Sequence, residues 1–518
     1  LRIRQVVFRF PFLRRLRSIS VAARRGDQAA GAPSVGLRET PTPVTWEGVV
    51  GDSPDAFAFR FLNVTAPYST DIWRNPARGL LWLYHLHYWN WAHAPALDHR
   101  QLSWFLEQYV RHGSTAGAGQ EAYPTSLRII NLVKLAAARP EILSDDAARS
   151  QLIALVQEDL QRLKGNLEYH LLGNHLLENG FGLLWGGFFL GDTSAWQTGR
   201  RIVLTQLREQ ILEDGGHFER SPMYHTIILW RLLDTVNFTG GHVFRRHAAR
   251  MLGWLYQYPW DRTRGHINDS APDMTPTRQD LLDYARRLGI TPQTVPMGAS
   301  GFRVLPGPDK HSLLIDVATP APRYQPGHAH AGTLGFELYR GDETILIDTG
   351  TSTYLRSSRR DYERSTRAHN TVSIGRFDSS EVWSAFRVAR RARVTIHDDT
   401  PYRLEASHNG YRSRFGVTHT RRYDTAGESI VITDQLTGPG AQSLLGTATF
   451  IAAPGISVEP LDDSCFSVGS VTLHFTGANR IQMEAVQVAA GFNRLAATTA
   501  LRVQFCGTLQ TRIDVNRD

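Results

Sequence analysis

The first segment with residues suited to chemistry is Gly-Asn-His-Leu-Leu-Glu-Asn-Gly, residues 173–180. His175 and Glu178 stand three positions apart, so a helix would place them on one face, with Asn174 beside them. An imidazole and a carboxylate on one face are suited to acid–base catalysis. The same spacing is common in ordinary surface and capping pairs, so both interpretations stay open at this point.

The second segment, residues 214–225, is a polar, glycine-rich loop that runs into an apolar helix near Pro222. It brings several titratable groups to one helix end, among them Tyr224 and His225 in the first turn. A capping turn accounts for Ser221-Pro222, but it does not require a phenol and an imidazole. Acid–base chemistry and a purely structural turn are the two alternatives.

The third segment is Gly-His-Ala-His-Ala-Gly, residues 327–332. If this segment is extended, His328 and His330 project to the same side, because side chains alternate along a strand. Asp348 follows 18 residues after His330, and His369 comes later. Imidazoles and a carboxylate are typical zinc ligands, with a remaining position for water or substrate. Hydrogen-bonded surface histidines are the alternative.

The fourth segment, residues 364–372, is basic and runs into a strand. Arg364 and Arg367 stand near His369 and Asn370, and two guanidinium groups near an imidazole suit the recognition of a carboxylate or sulfate. A solvated turn would have a similar composition. The sequence contains no phosphate-binding glycine loop, no Gly-X-Ser-X-Gly motif and no RNA-binding aromatic signature.

The elements that must position these residues change type along the chain. From about residue 68 to 288 the apolar spacing predicts helices that are separated by Gly, Pro, Asp or Asn. Helical hairpins packed side by side, as in an α/α toroid or an α-solenoid, are the expected shape. The predicted helices include residues 101–112, 126–139, 145–163, 200–212, 223–238 and 242–256.

After residue 297 short β-branched and aromatic runs alternate with turns, a pattern that predicts an antiparallel sandwich. The boundary is expected between Pro292 and Phe302, where Pro and Gly cluster. The predicted domains are a basic N-terminal segment and linker (1–67), a helical domain (68–298) and a sandwich (299–518). The predicted strands include residues 312–317, 333–339, 343–348, 371–374, 429–435 and 500–505.

The length of 518 residues suggests two to four domains at roughly 150 residues per domain. A hydrophobic fraction of 42% rules out wholesale disorder, because enough apolar surface can be buried. The net charge of +8 suits an acidic partner such as an anionic polysaccharide, a nucleic acid or a membrane surface. Cys465 and Cys506 are too few for a disulfide scaffold, although they permit one bridge.

The longest apolar stretch, residues 181–190, has about half of the ~20 residues that a spanning helix needs, so no transmembrane segment is expected. The first 25 residues carry eight Arg and no acidic residue. They lack the apolar core of a secretory signal peptide, which argues against a standard one in this sequence.

Taken together and in order, the motifs resemble the heparinase II/III family of polysaccharide lyases. The resemblance covers roughly residues 79–386 in recognisable motifs. It rests on WLYHLHY (82–88), YPTSLRIIN (123–131), the segments 174–180 and 214–225, HAH (328–330), LIDTG (346–350) and AHNTV (368–372).

The resemblance implies a multidomain α+β fold, with an incomplete α/α toroid followed by an antiparallel β-sandwich and an active site in a cleft between them. It also implies β-elimination on a uronic-acid-containing polysaccharide, which leaves a 4,5-unsaturated uronate. No nucleic acid partner is implied. Relatives with a Leu-Tyr-His-Leu-His-Tyr segment look more like those encoded beside surface-polysaccharide biosynthesis, so a capsule or exopolysaccharide is an expected substrate.

Carried over by position, the resemblance gives roles to residues of this sequence. Tyr224 matches the catalytic tyrosine, His328 the catalytic histidine, and His175 with Glu178 the toroid pair near the substrate carboxylate. A Zn²⁺ or other divalent metal, supporting the structure rather than the elimination, would be held by His330, Asp348 and His369. The expected substrate-binding residues are Asn174, Arg128, Arg220, His225, Arg367 and Asn370.

The chemistry of elimination explains these residue types. Removal of the C5 proton beside a carboxylate creates an enolate, so the carboxylate must be neutralised by donors or cations, such as Asn174 and a protonated His175. Tyr224 would need nearby positive charge to act as the base, because the usual pKa of a tyrosine is about 10. It could then return the proton to the departing C4 oxygen, and His328 is the competing base.

Two other functions stay open. One is a non-catalytic glycan-binding or surface-polysaccharide assembly protein. The other is an α/α-toroid glycoside hydrolase that uses carboxylates such as Asp214 and Glu219. By family resemblance we expect a location in the cell envelope or periplasm, while the lack of a visible signal peptide leaves a cytoplasmic location open.

Overall fold

The structure is a computed structural model that describes residues 37–41, 48–51 and 56–515. Residues 1–36, 42–47 and 52–55 of the predicted basic N-terminal segment (1–67) therefore lie outside the described residues. The chain forms two compact units that interleave along the sequence. Of the described residues, those up to Gln210, Trp230–Ala248 and Asp280–Ile290 form the helical unit, and Ile211–Leu229, Ala249–Gln279 and those from Thr291 to Val515 form the sheet unit. Because the units interleave, they do not test the predicted domain boundaries, which stay a prediction.

Nine of the eleven α-helices of the described residues lie before residue 288, as their apolar spacing predicts. The π-helix Tyr109–Gly113 directly follows the α-helix His99–Gln108. The α-helices are α1 (Leu80–Tyr88), α2 (His99–Gln108), α3 (Ala122–Ala138), α4 (Asp146–Gly165), α5 (Gly173–Phe189), α6 (Thr193–Gln210), α7 (Pro222–Thr239), α8 (His242–Gln257), α9 (Arg278–Arg287), α10 (Ser358–Arg364) and α11 (Arg412–Phe415). Short 3₁₀ helices are Pro76–Arg78, Asn90–His93, Ala118–Gln120, Pro140–Leu143 and Thr366–Ala368.

Local signals set where these helices begin. Asp98 caps α2 in a reciprocal capping box with Gln101, and Asp145 accepts from two backbone amides at the start of α4. Within the helical unit, α5 packs closely against α6. A side chain at Gly187 of α5 would lie 2.4 Å from the backbone nitrogen of Trp196, so glycine at this position allows the two helices to approach.

The strands fill the second half of the chain and are antiparallel throughout the pairs described. β1 (Gly48–Val50), β2 (Ala58–Phe61) and β3 (Val64–Pro67) form a small sheet before the helices. A four-stranded sheet has the order β4-β5-β6-β7, formed by Phe302–Pro306, His311–Asp316, Gly335–Arg340 and Glu343–Leu346. A two-stranded hairpin pairs β9 (Glu381–Trp383) with β10 (Arg387–Ala389).

The remaining strands belong to one ten-stranded sheet. Its main path is β11-β12-β13-β14-β19-β18-β17-β16, while β15 pairs with both β19 and β8. The strands are β8 (Val372–Ile374), β11 (Val394–Thr400), β12 (Arg403–His408), β13 (Thr418–Asp424), β14 (Ser429–Thr437), β15 (Leu445–Ile451), β16 (Val458–Pro460), β17 (Cys465–Val468), β18 (Val471–Gly491) and β19 (Arg494–Val515).

One hydrophobic core joins the two large sheets. It contains Leu313 and Leu338 from the four-stranded sheet together with Ile432 and Val503 from the ten-stranded sheet, all fully buried. Side chains that alternate inward from both sheets therefore pack face to face, which is the arrangement of a sandwich. The predicted division into helices and then an antiparallel sandwich is confirmed.

Two further expectations concern single features. Cys465 and Cys506 are both free, so the bridge that the sequence permits is not formed. Within the described residues no helix has both the length and the apolar character needed to cross a membrane.

Candidate active site

Tyr224 lies in the first turn of α7, and its position is fixed by the residues just before the helix. Pro222 is the first helical residue, where its missing N–H costs nothing. The Ser221 hydroxyl donates to the backbone oxygen of Asp269 (2.6 Å) and lies 3.3 Å from the backbone nitrogen of Tyr224 as its acceptor. The capping serine thus ties the start of this helix to the loop that contains Asp269.

The phenol of Tyr224 packs against the imidazole of His328. Their ring centres are 4.0 Å apart and the ring planes are inclined by 32°. The Tyr224 hydroxyl is also 3.4 Å from the hydroxyl of Tyr354. All three residues belong to the sheet unit. The structure therefore places the two predicted catalytic residues side by side.

Tyr224 is held as a neutral phenol in this arrangement. Burial, then the neighbouring Tyr354 and the carboxylates of Asp269 and Glu219, raise the pKa of Tyr224 well above its usual value. A phenol that stays protonated carries a proton that it can give to a strongly basic leaving oxygen, and it cannot act as a tyrosinate base.

His328 is oriented by two carboxylates. Its Nδ1 atom is 2.9 Å from Oδ2 of Asp269, and its Nε2 atom is 3.5 Å from Oε2 of Glu219. Because an ionised carboxylate only accepts hydrogen bonds, Nδ1 must carry the proton toward Asp269. In the neutral imidazole the lone pair is then on Nε2, which makes no hydrogen bond to Glu219 Oε2 and can accept a proton from a substrate.

Asp269 is the centre of this site, although it is fully buried. Arg360, which is also fully buried, donates Nη1 to Oδ1 (2.5 Å) and Nη2 to Oδ2 (2.8 Å). His330 Nε2 is 2.8 Å from Oδ1, and the Thr351 hydroxyl donates to the same oxygen at 3.1 Å. Burial alone would raise the pKa of Asp269, but Arg360 and the histidine hydrogen bonds hold it well below its usual value.

The loop around Asp269 connects the tyrosine and histidine segments. Asn268 adopts a left-handed backbone (φ 61°), which asparagine tolerates better than most residues. Its amide donates to the backbone oxygen of Arg220 (2.8 Å), and its side-chain oxygen accepts from the backbone nitrogen of His330 (2.9 Å). His328 and His330 lie in a turn rather than in a strand, and both reach Asp269.

The sequence analysis missed Asp269, Arg360 and Tyr354. Asp269 stands in a plain polar turn, Asn-Asp-Ser, 59 residues before His328, and Arg360 follows 91 residues after Asp269. No spacing rule links residues so far apart. The only local signal was the run Asn268-Asp269-Ser270, and such a run is equally typical of an ordinary turn.

The three predicted metal ligands lie together below this centre. His369 Nδ1 is 2.7 Å from Oδ2 of Asp348, and the rings of His330 and His369 are 5.4 Å apart. The pKa of His369 is raised, because Asp348 outweighs the opposing effect of burial. His330 Nδ1 and His369 Nε2 are buried and have no hydrogen-bond partner among the described residues.

These residues fit a divalent metal only in part. Two buried imidazole nitrogens are open to a ligand, but Asp348 already accepts from His369 and from the backbone nitrogen of Gly350 (3.1 Å). In residues 37–41, 48–51 and 56–515 no group of three or more His, Cys, Asp or Glu side chains is arranged to hold a metal ion. Asp348 is instead placed as a carboxylate that orients the His369 ring.

The predicted toroid pair lies at the start of α5 in the helical unit. His175 Nδ1 is 3.2 Å from Oε1 of Glu168, and its side chain is 33% exposed. Glu178 is fully buried and pairs with Arg231 (Oε2 to Nε, 3.0 Å), yet burial still raises the pKa of Glu178. His175 is therefore reachable from solvent, whereas Glu178 is not. Asn174 is buried beside them.

Three predicted substrate-binding residues are buried and make hydrogen bonds within the protein. Arg128 is fully buried and forms a bidentate pair with Asp159 at 2.7 Å for both bonds. His225 hydrogen-bonds the backbone oxygen of Met251 (3.1 Å), and burial lowers the pKa of His225 to about 3.

The third such residue, Asn370, uses its whole amide within the sandwich. Its amide nitrogen donates to the backbone oxygens of Phe336 (2.8 Å) and Ile347 (3.1 Å), and its oxygen accepts from the backbone of Ile451 (2.7 Å). The hydrogen bonds of Arg128, His225 and Asn370 stabilise the fold, and their role toward a substrate stays a prediction.

Two other predicted binding residues keep accessible surface. Arg220 has a left-handed backbone (φ 58°) and donates to the backbone oxygen of Thr319. The Arg367 side chain is 56% exposed and pairs with Glu484 at 2.7 Å. Arg220 lies on the segment that carries Tyr224, so it is the better placed of the two.

The carboxylate of Asp214 is occupied by donors of a second loop, residues 298–300. Its Oδ2 atom accepts from the backbone nitrogens of Gly298 (2.9 Å) and Ser300 (2.8 Å) and from the Ser300 hydroxyl (2.6 Å). These hydrogen bonds hold the pKa of Asp214 low despite its burial. A carboxylate with this set of donors is a structural group, so the geometry does not favour a hydrolase that would use Asp214 as an acid or base.

Comparison with known proteins gives a consistent result for both halves of the chain. Residues 140–245 match the model of the heparinase II/III N-terminus, and residues 290–514 match the model of the heparinase II/III-like C-terminal domain. The fold is an incomplete α/α toroid with a β-sandwich. The chain belongs to the heparinase II/III family of polysaccharide lyases.

Solved structures agree with this fold. A heparinase III structure aligns with a TM-score of 0.65 at 15% identity, over 89% of this chain and 80% of that chain. Another heparinase III aligns with a TM-score of 0.62 at 14% identity, over 99% and 91%. The heparan sulfate lyase HepC from Pedobacter heparinus aligns with a TM-score of 0.56 at 15% identity, over 98% and 88%. No curated protein matches the sequence.

Proposed function

We propose that this protein cleaves a uronic-acid-containing anionic polysaccharide by β-elimination and leaves a 4,5-unsaturated uronate at the new chain end. The observation that carries the proposal is the contact between a protonated phenol and an imidazole that a carboxylate orients, within a fold of this lyase family. Elimination needs these two groups, one to remove a proton and one to supply a proton.

The structure supports separate roles for the two residues, His328 as the base and Tyr224 as the acid. His328 Nε2 takes the proton from C5 of the uronate, because Asp269 already binds Nδ1 and stabilises the imidazolium that forms. The electrons of the broken C5–H bond form the C4=C5 double bond, and the bond from C4 to the glycosidic oxygen breaks. Tyr224 then donates its phenolic proton to that departing oxygen.

This mechanism differs from one in which Tyr224 both removes the C5 proton and protonates the leaving oxygen. A tyrosinate base would need a nearby cation, but the groups that act on Tyr224 are Tyr354, Asp269 and Glu219, which all raise its pKa. Arg360, the buried cation of this site, donates both of its terminal nitrogens to Asp269. The uronate carboxylate must still be neutralised. Asn174 and His175 keep that role as a prediction from the family resemblance.

A divalent metal belongs to the proposal as a structural group. His330 Nδ1 and His369 Nε2 are the nitrogens that would bind it, and Asp348 would orient His369. When bound, Zn²⁺ would supply a fixed link between the segments that carry these residues. The elimination itself needs only the side chains described above.

The direct test is incubation of the purified protein with a panel of uronate polymers, including capsular and exopolysaccharide material, while the ultraviolet absorbance of the unsaturated product is recorded. We expect one or more polymers to give the chromophore. Tyr224→Phe removes only a hydroxyl, so it should fold normally and lose most turnover. Cleavage without the chromophore, or a Tyr224→Phe variant as fast as wild type, would contradict the proposal.

A further inference from the structure

The hairpin of β9 (Glu381–Trp383) and β10 (Arg387–Ala389) lies next to the catalytic pair. The ring of Phe386, in its turn, is 6.2 Å from the ring of His328 and 5.3 Å from the ring of Tyr354. A side chain added at Gly327 would come within 3.7 Å of Cβ of Phe386. The turn of the hairpin therefore sits directly beside the segment that carries His328.

Two arginines of α10 (Ser358–Arg364) hold this turn in place. Arg360, the partner of Asp269, also donates Nε (3.1 Å) and Nη2 (3.0 Å) to the backbone oxygen of Ala385. Arg364 donates to the backbone oxygens of Ala329 (3.0 Å) and Trp383 (3.4 Å). Arg360 thus fixes both the carboxylate behind His328 and the tip of the hairpin.

The turn combines a strained backbone with two exposed aromatic rings. Ser384 and Ala385 both have left-handed backbones (φ 52° and 62°), which non-glycine residues rarely adopt. Ala385 is buried, whereas Phe386 is 41% exposed and Trp383 is 45% exposed. Strained backbone that persists only because the surroundings fix it is often found at ligand-binding sites.

A free cation completes this surface. Arg387 is directly opposite Trp383 in the hairpin register, so the two side chains leave the same face. Arg387 is exposed, and it makes no ion pair or hydrogen bond with the residues that the structure describes. An indole beside an unpaired guanidinium can bind both parts of an acidic sugar. The pyranose ring presents apolar C–H groups to the indole, and the carboxylate or sulfate of the sugar is a bidentate acceptor for the guanidinium.

We infer that the hairpin is a subsite for an acidic sugar next to the residue that undergoes elimination. This inference rests on the proposed function. Trp383 stacks on the pyranose ring and Arg387 binds its carboxylate or sulfate, while Phe386 fills the space between this sugar and His328. The rigid link through Arg360 sets the distance from the subsite to the base.

The test compares Trp383→Ala, Trp383→Tyr and Arg387→Gln with wild type on a polymer that is cleaved. These positions are exposed, so the variants should fold, and their circular dichroism checks this. We expect Trp383→Ala to raise KM about tenfold, which corresponds to about 1.4 kcal/mol, with a smaller effect on kcat. Trp383→Tyr should retain most of the affinity. The Arg387→Gln defect should be large at low ionic strength and shrink at about 0.5 M salt.

Tyr402→Ala and Arg422→Gln are the matched controls. Both residues are exposed and belong to the ten-stranded sheet region, with Tyr402 52% exposed, so each removes an equivalent surface group away from the hairpin. Neither should change KM. Equal KM values for wild type, Trp383→Ala and Arg387→Gln would overturn the subsite, as would an equal defect in the two controls.

Calorimetric binding separates this inference from the proposed function. If wild type cleaves a polymer but the hairpin variants bind its fragments as tightly as wild type, the subsite is wrong and the proposed function stands. If wild type binds acidic fragments in a manner that needs Trp383 and Arg387 but cleaves none, the elimination is wrong and the hairpin remains a binding site. If no acidic polymer is bound or cleaved, both fail.

Discussion

Replacing Asp269 with Asn tests the arrangement of the catalytic histidine most directly, because the two side chains have nearly the same shape. Oδ1 of Asp269 accepts from Arg360, His330 and Thr351, and Oδ2 accepts from Arg360 and His328. Whichever way the new amide is turned, its NH₂ group faces an N–H of Arg360. The substitution therefore breaks a fully buried ion pair and introduces a donor against a donor.

The size of both effects follows from this geometry. Removing one partner of a buried ion pair costs about 3–5 kcal/mol, because the other charge stays buried without compensation. The rate should fall about 10²-fold to 10⁴-fold, the usual contribution of a positioned acid or base. The imidazolium formed at His328 would lose the anion 2.9 Å from Nδ1. The folded pKa of Asp269 is depressed, so its contribution to stability is present above about pH 4 and is lost only as pH falls through the folded value. The stability loss should therefore be equal at pH 6 and pH 8.

The sandwich offers a closely matched control. Asp434 is also fully buried, accepts from Arg421 at 2.7 and 2.9 Å, and lies 2.7 Å from Nε2 of His419. Asp434→Asn should destabilise the protein by a similar amount without lowering kcat. Unfolding is followed by circular dichroism, and initial rates are measured where both variants remain folded. An Asp269→Asn variant with wild-type kcat, or an equal loss of kcat in Asp434→Asn, would refute the reasoning.

Two other predictions concern the sandwich. His330→Ala should lower the metal content of the purified protein, because it removes a buried nitrogen that has no hydrogen-bond partner. Metal content is measured by plasma mass spectrometry, and the control His408→Ala, at another buried histidine, should leave it unchanged. Wild-type protein free of metal would contradict the assignment. Burial chiefly, with the neighbouring Asp348, raises the pKa of Glu337 to about 7. Its contribution to stability is therefore present below about pH 4.3, its unfolded value, and is lost as pH rises to about 7. Glu337→Gln stays neutral, so its thermal stability relative to wild type should rise between pH 5 and pH 8, and parallel curves would count against a raised pKa.

The sequence by itself determined the order and type of the elements. The predicted helix 242–256 differs from the observed α8 (His242–Gln257) by one residue, and the predicted strand 312–317 overlaps β5 (His311–Asp316). The apolar spacing of a helix or a strand involves only residues close together in the chain, so a short stretch of sequence is enough to recognise it. The same local reading identified Tyr224 and His328 as residues worth attention, and the order of motifs indicated the family.

Only the tertiary structure decided which polar residues work together. Arg128 and Asn370 stand in recognisable motifs, yet both are buried and fully paired, and no sequence feature shows that their partners lie in other elements. Asp269 and Arg360 carry no motif, yet they orient His328 and fix the hairpin. A buried charge is stabilised by whichever opposite charge the fold brings within about 3 Å, and that pairing depends on distance in space rather than on spacing along the chain.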